Sequence, residues 1–320
     1  MRIEDKICVV TGAAGFIGSH LVDGLLRKGA AKVIGMDNFV AGKYANIRHL
    51  AKERRFSLVK ADIRDSKKIS PYLLKSDFVF NLAASKLVVS HDNPRIDMET
   101  NIGGVFNILE ILRGNKKARL IHASTGSVLG SSDKPMPEDW PPNPATLYGI
   151  SKLTAERYCM FYFQEFGLNV SVVRYFHVYG PRQDYQGPSG VVNIFLSRVL
   201  SGKPPIVNGD GRQVRCFTYV EDDVAATIML AEKKCSIGQI YNVASPVRMR
   251  VKALAELVIK KYAKSSLRVK YAPARRGENL RPVPDTEKIE KLGFWAKYSF
   301  TEGLEKTKIW IEKELKGPRH

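Results

Sequence analysis

A doubly wound α/β fold, a Rossmann-type parallel sheet with a smaller discontinuous C-terminal domain, is predicted by three observations. Short β-branched runs alternate with longer amphipathic stretches through the first half of the chain. The first run leads directly into a glycine-rich turn that opens a helical stretch. After Arg174 the alternation becomes irregular, as expected of a second region that covers the C-terminal ends of the strands, where open α/β folds bind ligands.

The strands are expected in order at Ile7 to Thr11, Lys32 to Met36, Phe56 to Lys60, Asp77 to Leu82, Arg119 to Ala123 and Val170 to Arg174, each a run dominated by apolar and β-branched residues. Apolar residues at helical spacing predict helices over Phe16 to Arg27, Ile96 to Arg113 and Leu147 to Phe166. Gly and Pro cluster in Lys134 to Pro144 and Gly180 to Gly190, which read as loops. Beyond these, Phe217 to Ala231 reads as a helix and Gln239 to Ala244 as one more strand. The expected division is therefore 1–174 plus 218–243 for the sheet domain, and 175–217 plus 244–320 for the second.

With 320 residues, 44% hydrophobic and 26% charged, the chain has the composition of a globular protein. No apolar stretch of about 18 residues suggests a membrane span, and the start MRIEDKICVV carries Glu4 and Asp5 where a secretory signal is basic. A soluble, cytoplasmic protein without membrane association is expected. Cys8, Cys159, Cys216 and Cys235 form no metal-ligand spacing, so reduced structural thiols and no metal are expected. The formal charge is +19, and residues 248–320 hold 19 Lys and Arg against 9 Asp and Glu. That excess suits an anionic ligand. The lysines are scattered at helical spacings without an aromatic platform, which reads as a solvated surface, and nucleic acid is not the expected partner.

Gly12, Gly15 and Gly18 follow the first strand. A glycine at the turn lets the chain reverse, a second lets backbone N–H groups approach a pyrophosphate, and a third permits close packing of the helix. Asp37 ends the next strand 19 residues beyond Gly18, where a carboxylate accepts hydrogen bonds from ribose hydroxyls and repels a 2′-phosphate. The pattern points to NAD rather than NADP. Asp62, after the third strand, is placed either to receive the adenine amino group or to cap a helix.

Tyr148 and Lys152 lie four apart on one face of a helix. A phenol working as a base near pH 7 needs its pKa lowered by about 3 units. The Lys152 ammonium and the positive ring of an oxidised nicotinamide both act in that direction. Ser124 or Thr125, at the end of the upstream strand, could bond the same substrate oxygen. Together these residues form a dehydrogenase constellation of base, activator and orienting hydroxyl.

TGAAGFIGSH, Asp37-Asn38, Asp62-Ile63, NLAASK, YGISK, RYFHVYGPRQ, GDGRQVRCFTYVEDD and RRGE fall in one order along the chain. In that order the chain resembles the extended short-chain dehydrogenase/reductase family, and within it the nucleotide-sugar epimerases of the UDP-glucose 4-epimerase type. The resemblance implies contacts to NAD from Phe16, Ile17, Asp37, Asn38, Asp62, Ile63, Leu82, Ala83, Ala84, Lys86, Asn101, Tyr148, Lys152 and Phe176. It implies catalytic roles for Thr125, Tyr148 and Lys152. It implies nucleotide-sugar contacts from Lys86, Thr125, Tyr148, Arg215, Arg275 and Glu278, with a UDP-linked sugar as the substrate.

The chain departs from the family's pattern in places. His177 replaces an Asn that contacts the diphosphate, and either donates there or only fills the position. Cys216 replaces an Asp, Leu129 a common Tyr, and Asn81 stands where a His is frequent. Pro282 stands where a bulky Tyr can crowd the sugar C2 substituent, and either leaves room for an acetamido group or, close to Pro284, only stiffens a loop. Gly126 and Ser127 follow Thr125 where related 4,6-dehydratases carry Asp and Glu, and where decarboxylases place a Glu second. Epimerisation is the expected reaction, with decarboxylase, dehydratase or reductase chemistry as the alternative and a non-catalytic NAD-binding protein with a basic partner-binding surface as the competing class. The resemblance also implies a homodimer in which helices Ile96 to Arg113 and Tyr148 to Phe166 pair with their copies.

Overall fold

A computed structural model describes residues 1–85, 87–187, 190–274 and 283–317. The sheet half of the chain runs β1 (Ile7–Thr11), α1 (Phe16–Arg27), β2 (Lys32–Asp37), β3 (Phe56–Lys60), α2 (Ser66–Leu73), β4 (Phe78–Asn81), α3 (Leu87–Asp92), α4 (Pro94–Met98), α5 (Gly104–Leu112), β5 (Arg119–Thr125), α6 (Leu147–Phe166) and β6 (Asn169–Tyr175). The rest follows as β7 (Val178–Tyr179), α7 (Val191–Leu200), β8 (Ile206–Asn208), β9 (Val214–Cys216), β10 (Thr218–Tyr219), α8 (Val220–Glu232), β11 (Gln239–Val243), β12 (Arg248–Arg250), α9 (Val251–Tyr262), β13 (Lys270–Ala272), α10 (Glu287–Glu290) and α11 (Phe300–Lys316).

Seven strands pair in parallel in the order β11-β6-β5-β4-β1-β2-β3. The chain winds outward from β1 through β2 to β3, then returns to β4 and winds the other way. The crevice beyond the C-terminal ends of β1 and β4 is thus the switch point at which such sheets bind ligands. One face of the sheet packs on α1 and α8 through Leu21, Leu25, Val224 and Ile228, the other on α2, α5 and α6 through Leu73, Ile108, Leu109 and Tyr162. A separate apolar cluster gathers Phe195, Leu196, Phe217, Leu254, Val258, Leu304 and Ile311 from α7, the segment between β9 and β10, α9 and α11.

Two expected helices differ. The stretch expected as one helix from Ile96 to Arg113 starts earlier, and a π-helical turn over Glu99–Gly103 separates α4 from α5. The helix expected from Phe217 starts only at Val220, because Thr218 and Tyr219 pair with β7. In α6 the apolar pattern runs opposite to a surface helix: Ser151, Lys152, Ala155, Glu156 and Cys159 face inward, while Leu147, Ile150, Tyr158 and Phe161 are exposed. All four cysteines are free. Among the described residues no helix is long and apolar enough to cross a membrane, and no group of side chains could hold a metal ion.

Candidate active site

The glycine turn is built of backbone against backbone. Gly12 takes the left-handed conformation (φ +70°), and a Cβ there would come within 3.0 Å of the Leu82 and Ala83 backbone at the end of β4. A Cβ on Gly18 would overlap the Gly12 carbonyl oxygen and lie 2.8 Å from its carbon. The turn therefore closes only with glycine at both positions, and α1 begins at Phe16 with Gly15 as its N-cap. No side chain caps this helix and no acidic residue occupies its first turn, so its N-terminal N–H groups and positive dipole end are left for an anion. That cradle fits a dinucleotide pyrophosphate.

Asp37 is 6% exposed and is drawn back toward the turn, where its carboxylate accepts the N–H groups of Ala14 and Phe39 at 2.9 and 2.8 Å. Burial raises its pKa, and those two N–H groups oppose the rise. Asn38 donates to Asp62 at 2.8 Å. Burial disfavours the Asp62 carboxylate, but hydrogen bonds from Arg64 and Asn38 outweigh it and bring the carboxyl down to about 2. Asp62 is thus already engaged by Arg64 and Asn38, and an adenine amino group would share its oxygens. Ile63 is buried, and a Cβ on Gly104 would lie within about 2.5 Å of its side chain.

At the end of β4, Leu82, Ala83 and Ala84 run past the turn half-buried. Asn101, on the π-helical turn, is fully buried. It accepts Ser85 N–H at 2.8 Å and donates to Asp97 at 2.9 Å and to Ser151 at 3.1 Å. The extra residue of a π turn rotates one side chain out of register with its helix, and such turns recur at functional sites. Phe16 and Ile17 are partly buried beside the apolar cluster formed by α7, α9 and α11.

Tyr148 opens α6 above the end of β5 and is hydrogen-bonded to Thr125. The expected activation by Lys152 is not what the geometry gives. Burial and the Asp97 carboxylate push the phenol up to about 12, and only the Thr125 bond opposes them. Lys152 points instead into the sheet: its Nζ donates to Ala123 O at 2.6 Å and lies 3.4 Å from His122 Nε2. At 2% exposure, burial lowers its pKa to about 8, against the carboxylates of Glu156 and Asp97 and the Cys159 thiol.

Of the two hydroxyls considered upstream, Ser124 is turned away. It is buried and donates to Glu156 at 2.5 Å, inside an ion pair with Arg174 at 2.8 Å. Thr125 alone faces Tyr148. It accepts the N–H of Ser127 at 3.2 Å. A Cβ on Gly126 would overlap the Phe176 ring, with Phe176 Cζ at 2.7 Å.

His177 lies beside Arg215 and Phe217. Burial first, then the Arg215 charge, holds the imidazole well below its usual pKa, so it is neutral. Its Nδ1 is buried without a hydrogen-bond partner among the described residues. Arg215 is 6% exposed on β9, and Cys216 beside it is buried. β9 pairs antiparallel with β12, and near this ribbon Asp133, Arg212, Val214, Arg248, Arg250 and Val283 line an open cavity of about 610 Å³ with three arginines and one carboxylate. Leu129 is buried against Val128, Met136 and Phe176. Lys86, Arg275, Glu278 and Pro282 lie outside the described residues.

Sequence reasoning missed Asp97, His122, Glu156 and Arg174. The signal for two of them was available: in strand IHAS, His122 and Ser124 point to one face by the two-residue alternation, and α6 answers with Lys152 and Glu156 at a four-residue spacing.

The model of the family described as GDP-mannose 4,6 dehydratase matches residues 9–307. A protein named putative UDP-glucose 4-epimerase from Methanocaldococcus jannaschii is 34% identical over 308 residues, 95% of this chain and 98% of its own length. A UDP-N-acetyl-alpha-D-glucosaminuronate decarboxylase from Bacillus cytotoxicus is also 34% identical, over 327 residues, 96% of this chain and 98% of its own. Among solved structures, the UDP-glucuronic acid 4-epimerase of Bacillus cereus in complex with UDP-glucuronic acid and NAD superposes with a TM-score of 0.90 at 31% identity, covering 96% of this chain and 99% of that one.

Proposed function

Because this chain belongs to the extended short-chain dehydrogenase/reductase family that the GDP-mannose 4,6 dehydratase model describes, we propose that it is an NAD-dependent nucleotide-sugar 4-epimerase. Its substrates would be UDP-glucose and UDP-galactose or their N-acetyl derivatives, interconverted through a transient 4-keto sugar. Relatives named as epimerases and as decarboxylases match it equally well in extent and identity. The choice between them rests on the chain's own residues.

The ground beside Thr125 carries this reading. Dehydration needs an acid and a base after the threonine, and the related decarboxylases place a Glu at the second of those positions. At position 126 the Phe176 ring leaves no room for a side chain, and at 127 there is only a hydroxyl, whose residue already donates its N–H to Thr125. Epimerisation needs neither group. It requires one residue to move the proton of the C4 hydroxyl, and room for the keto sugar to turn over.

NAD, when bound, supplies a reversible hydride acceptor and a positive ring charge that favours the phenolate. Tyr148 is protonated in the resting chain; once its proton has gone to solvent, the phenolate would take the C4 hydroxyl proton and later return it to the C4 oxygen. Thr125 holds that oxygen toward the phenol. Lys152 keeps a charge within the wall of the site, anchored on Ala123 O. Arg215 and the basic cavity at the β9–β12 ribbon offer cationic donors to a nucleoside diphosphate, and His177, neutral, can donate one N–H to it. The residues 175–217 and 244–320 would form the sugar-nucleotide domain on the NAD-binding sheet domain of 1–174 and 218–243.

Two expected results follow from this reading. Asp37→Ala weakens NAD binding about tenfold, the worth of a hydrogen bond or two to a charged acceptor, and narrows the preference over NADP, measured by calorimetry. Tighter binding of NADP than NAD by the unaltered protein contradicts the role of Asp37. Second, the outward row of Leu147, Ile150, Tyr158 and Phe161 on α6, with Phe106 on α5 beside Tyr158, pairs with its copy, so that sedimentation at micromolar concentration gives a dimer of this cytoplasmic enzyme. A monomer removes that interface.

A panel of UDP-, dTDP-, GDP- and CDP-sugars, analysed by mass spectrometry and chromatography, tests the function. The expected result is a product isobaric with its UDP-sugar substrate and no turnover to a lighter species.

A further inference from the structure

The glycine turn that opens α1 is flanked by two loops, 38–43 after β2 and 180–187 after β7, and the contacts between them close a ring. Loop 38–43 is fastened to the turn itself. Lys43 N–H donates to Ala14 O at 2.9 Å, and Asp37, at the root of the loop, accepts the N–H groups of Ala14 and Phe39. Loop 180–187 is fastened one and two turns further along α1, where Pro181 O lies 3.0 Å from His20 Nε2 and the Arg182 guanidinium pairs with Asp23 at 2.8 Å. Lys43 Nζ, 3.6 Å from the Asp184 carboxylate, joins one loop to the other.

The ring is held under strain and braced from behind. Among the described residues, Asp5, Phe39 and Arg182 are the non-glycine residues with left-handed backbone, and two of the three lie in these loops, at φ +62° and +67°. Side chains of this size are rare in that conformation, and such strain collects at ligand clamps, where the surroundings enforce it. Here the bracing comes from the buried Asn193, whose amide donates to Gly180 O at 2.9 Å and to Gln183 O at 3.3 Å, and from Gln183, which donates to Val178 O at 2.9 Å. Arg182 and Asp23 make the stronger ion pair, their side chains 20% and 13% exposed against 56% and 30% for Lys43 and Asp184, since exposed pairs hold weakly. The reaction derived above uses neither pair.

We propose that loops 38–43 and 180–187 form a clasp across the dinucleotide cradle, locked by Arg182 on Asp23 and by Lys43 on Asp184, which must open for NAD to enter or leave. The inference rests on the reading of the glycine turn as the NAD site. Such a clasp supplies what a 4-keto intermediate demands. A cofactor that departs in its reduced form before the hydride returns leaves the sugar stranded as a ketone, so slow release protects the reaction. Every contact of the clasp joins groups of the protein itself, so it closes with or without the nucleotide. Loosening it therefore speeds entry and release together and leaves Kd nearly unchanged, whereas damage to the cradle speeds release and slows entry.

Arg182→Asn breaks the stronger pair while keeping the loop, since asparagine suits a left-handed backbone and is too short to reach Asp23. Stopped-flow fluorescence of NADH reads both rates, entry on mixing with the protein and release on chasing the loaded protein with excess NAD. In Arg182→Asn both rates are expected to rise about tenfold, with Kd by calorimetry within about threefold of native. Asp23→Asn breaks the same pair from its other side and gives the same rise. The double variant is no faster than either alone, because one pair is broken in all three. Lys43→Met gives a smaller rise of about two- to fourfold. Rates within about twofold of native in both Arg182→Asn and Asp23→Asn overturn the clasp, as does release that quickens while entry slows. A native chain that binds no NADH overturns the placement of the cofactor itself, so the two failures are distinguishable.

Discussion

Tyr148→Phe lowers kcat by about 10²–10⁴-fold, the usual worth of a positioned proton-transfer group, with KM for the nucleotide sugar changed only a few-fold. The substitution removes one oxygen and keeps the ring, so packing at the start of α6 is preserved. It also removes the bond to Thr125, which then orients the C4 oxygen alone. Binding is expected to survive because the donors proposed for the diphosphate, Arg215 and His177, are other residues. Turnover by Tyr148→Phe at a near-native rate, measured by product formation from UDP-glucose, would show that another group moves the proton.

Gly18→Ala is expected to be nearly as severe for a different reason. The added methyl has no space at the Gly12 carbonyl and cannot push it aside without moving the turn, whose left-handed residue is already wedged against Leu82 and Ala83. Overpacking of this kind costs about 1–3 kcal/mol of stability. The displaced turn loses its hold on the pyrophosphate, a further loss of about 3 kcal/mol, or about 100-fold, in NAD affinity. Gly103→Ala is the control, because a Cβ there meets no atom within 4 Å. Equal NAD affinity in Gly18→Ala and the native chain, by calorimetry, would contradict the placement of the pyrophosphate.

The sheet was legible because each strand is a compact apolar run between breakers, and the first six appear within two residues of their expected ends. The π-helical turn at Glu99–Gly103 was not, since inserting one residue into a helix leaves the apolar spacing nearly unchanged on either side. The start of α8 was missed because Thr218 and Tyr219 pair with a strand far away in sequence, a tertiary contact that local pattern does not carry. At the site, the residue types of Thr125, Tyr148 and Lys152 were legible and their electrostatics were not. A four-residue spacing brings Tyr148 and Lys152 to one face, but the ammonium is claimed by Ala123 O and lies near His122, and Asp97, distant in sequence, decides the charge that Tyr148 feels. The roles of Ser124 and Thr125 separated only once Glu156 and Arg174 were seen to claim the former.

The most direct measurement is the fate of the hydrogen on C4. UDP-glucose deuterated at C4, incubated with the purified protein in ordinary water, is expected to give UDP-galactose that retains the deuterium at C4, as when the hydrogen removed from one face is returned to the other within the same site. Loss of water from the sugar, or exchange of the deuterium with solvent, would contradict the account.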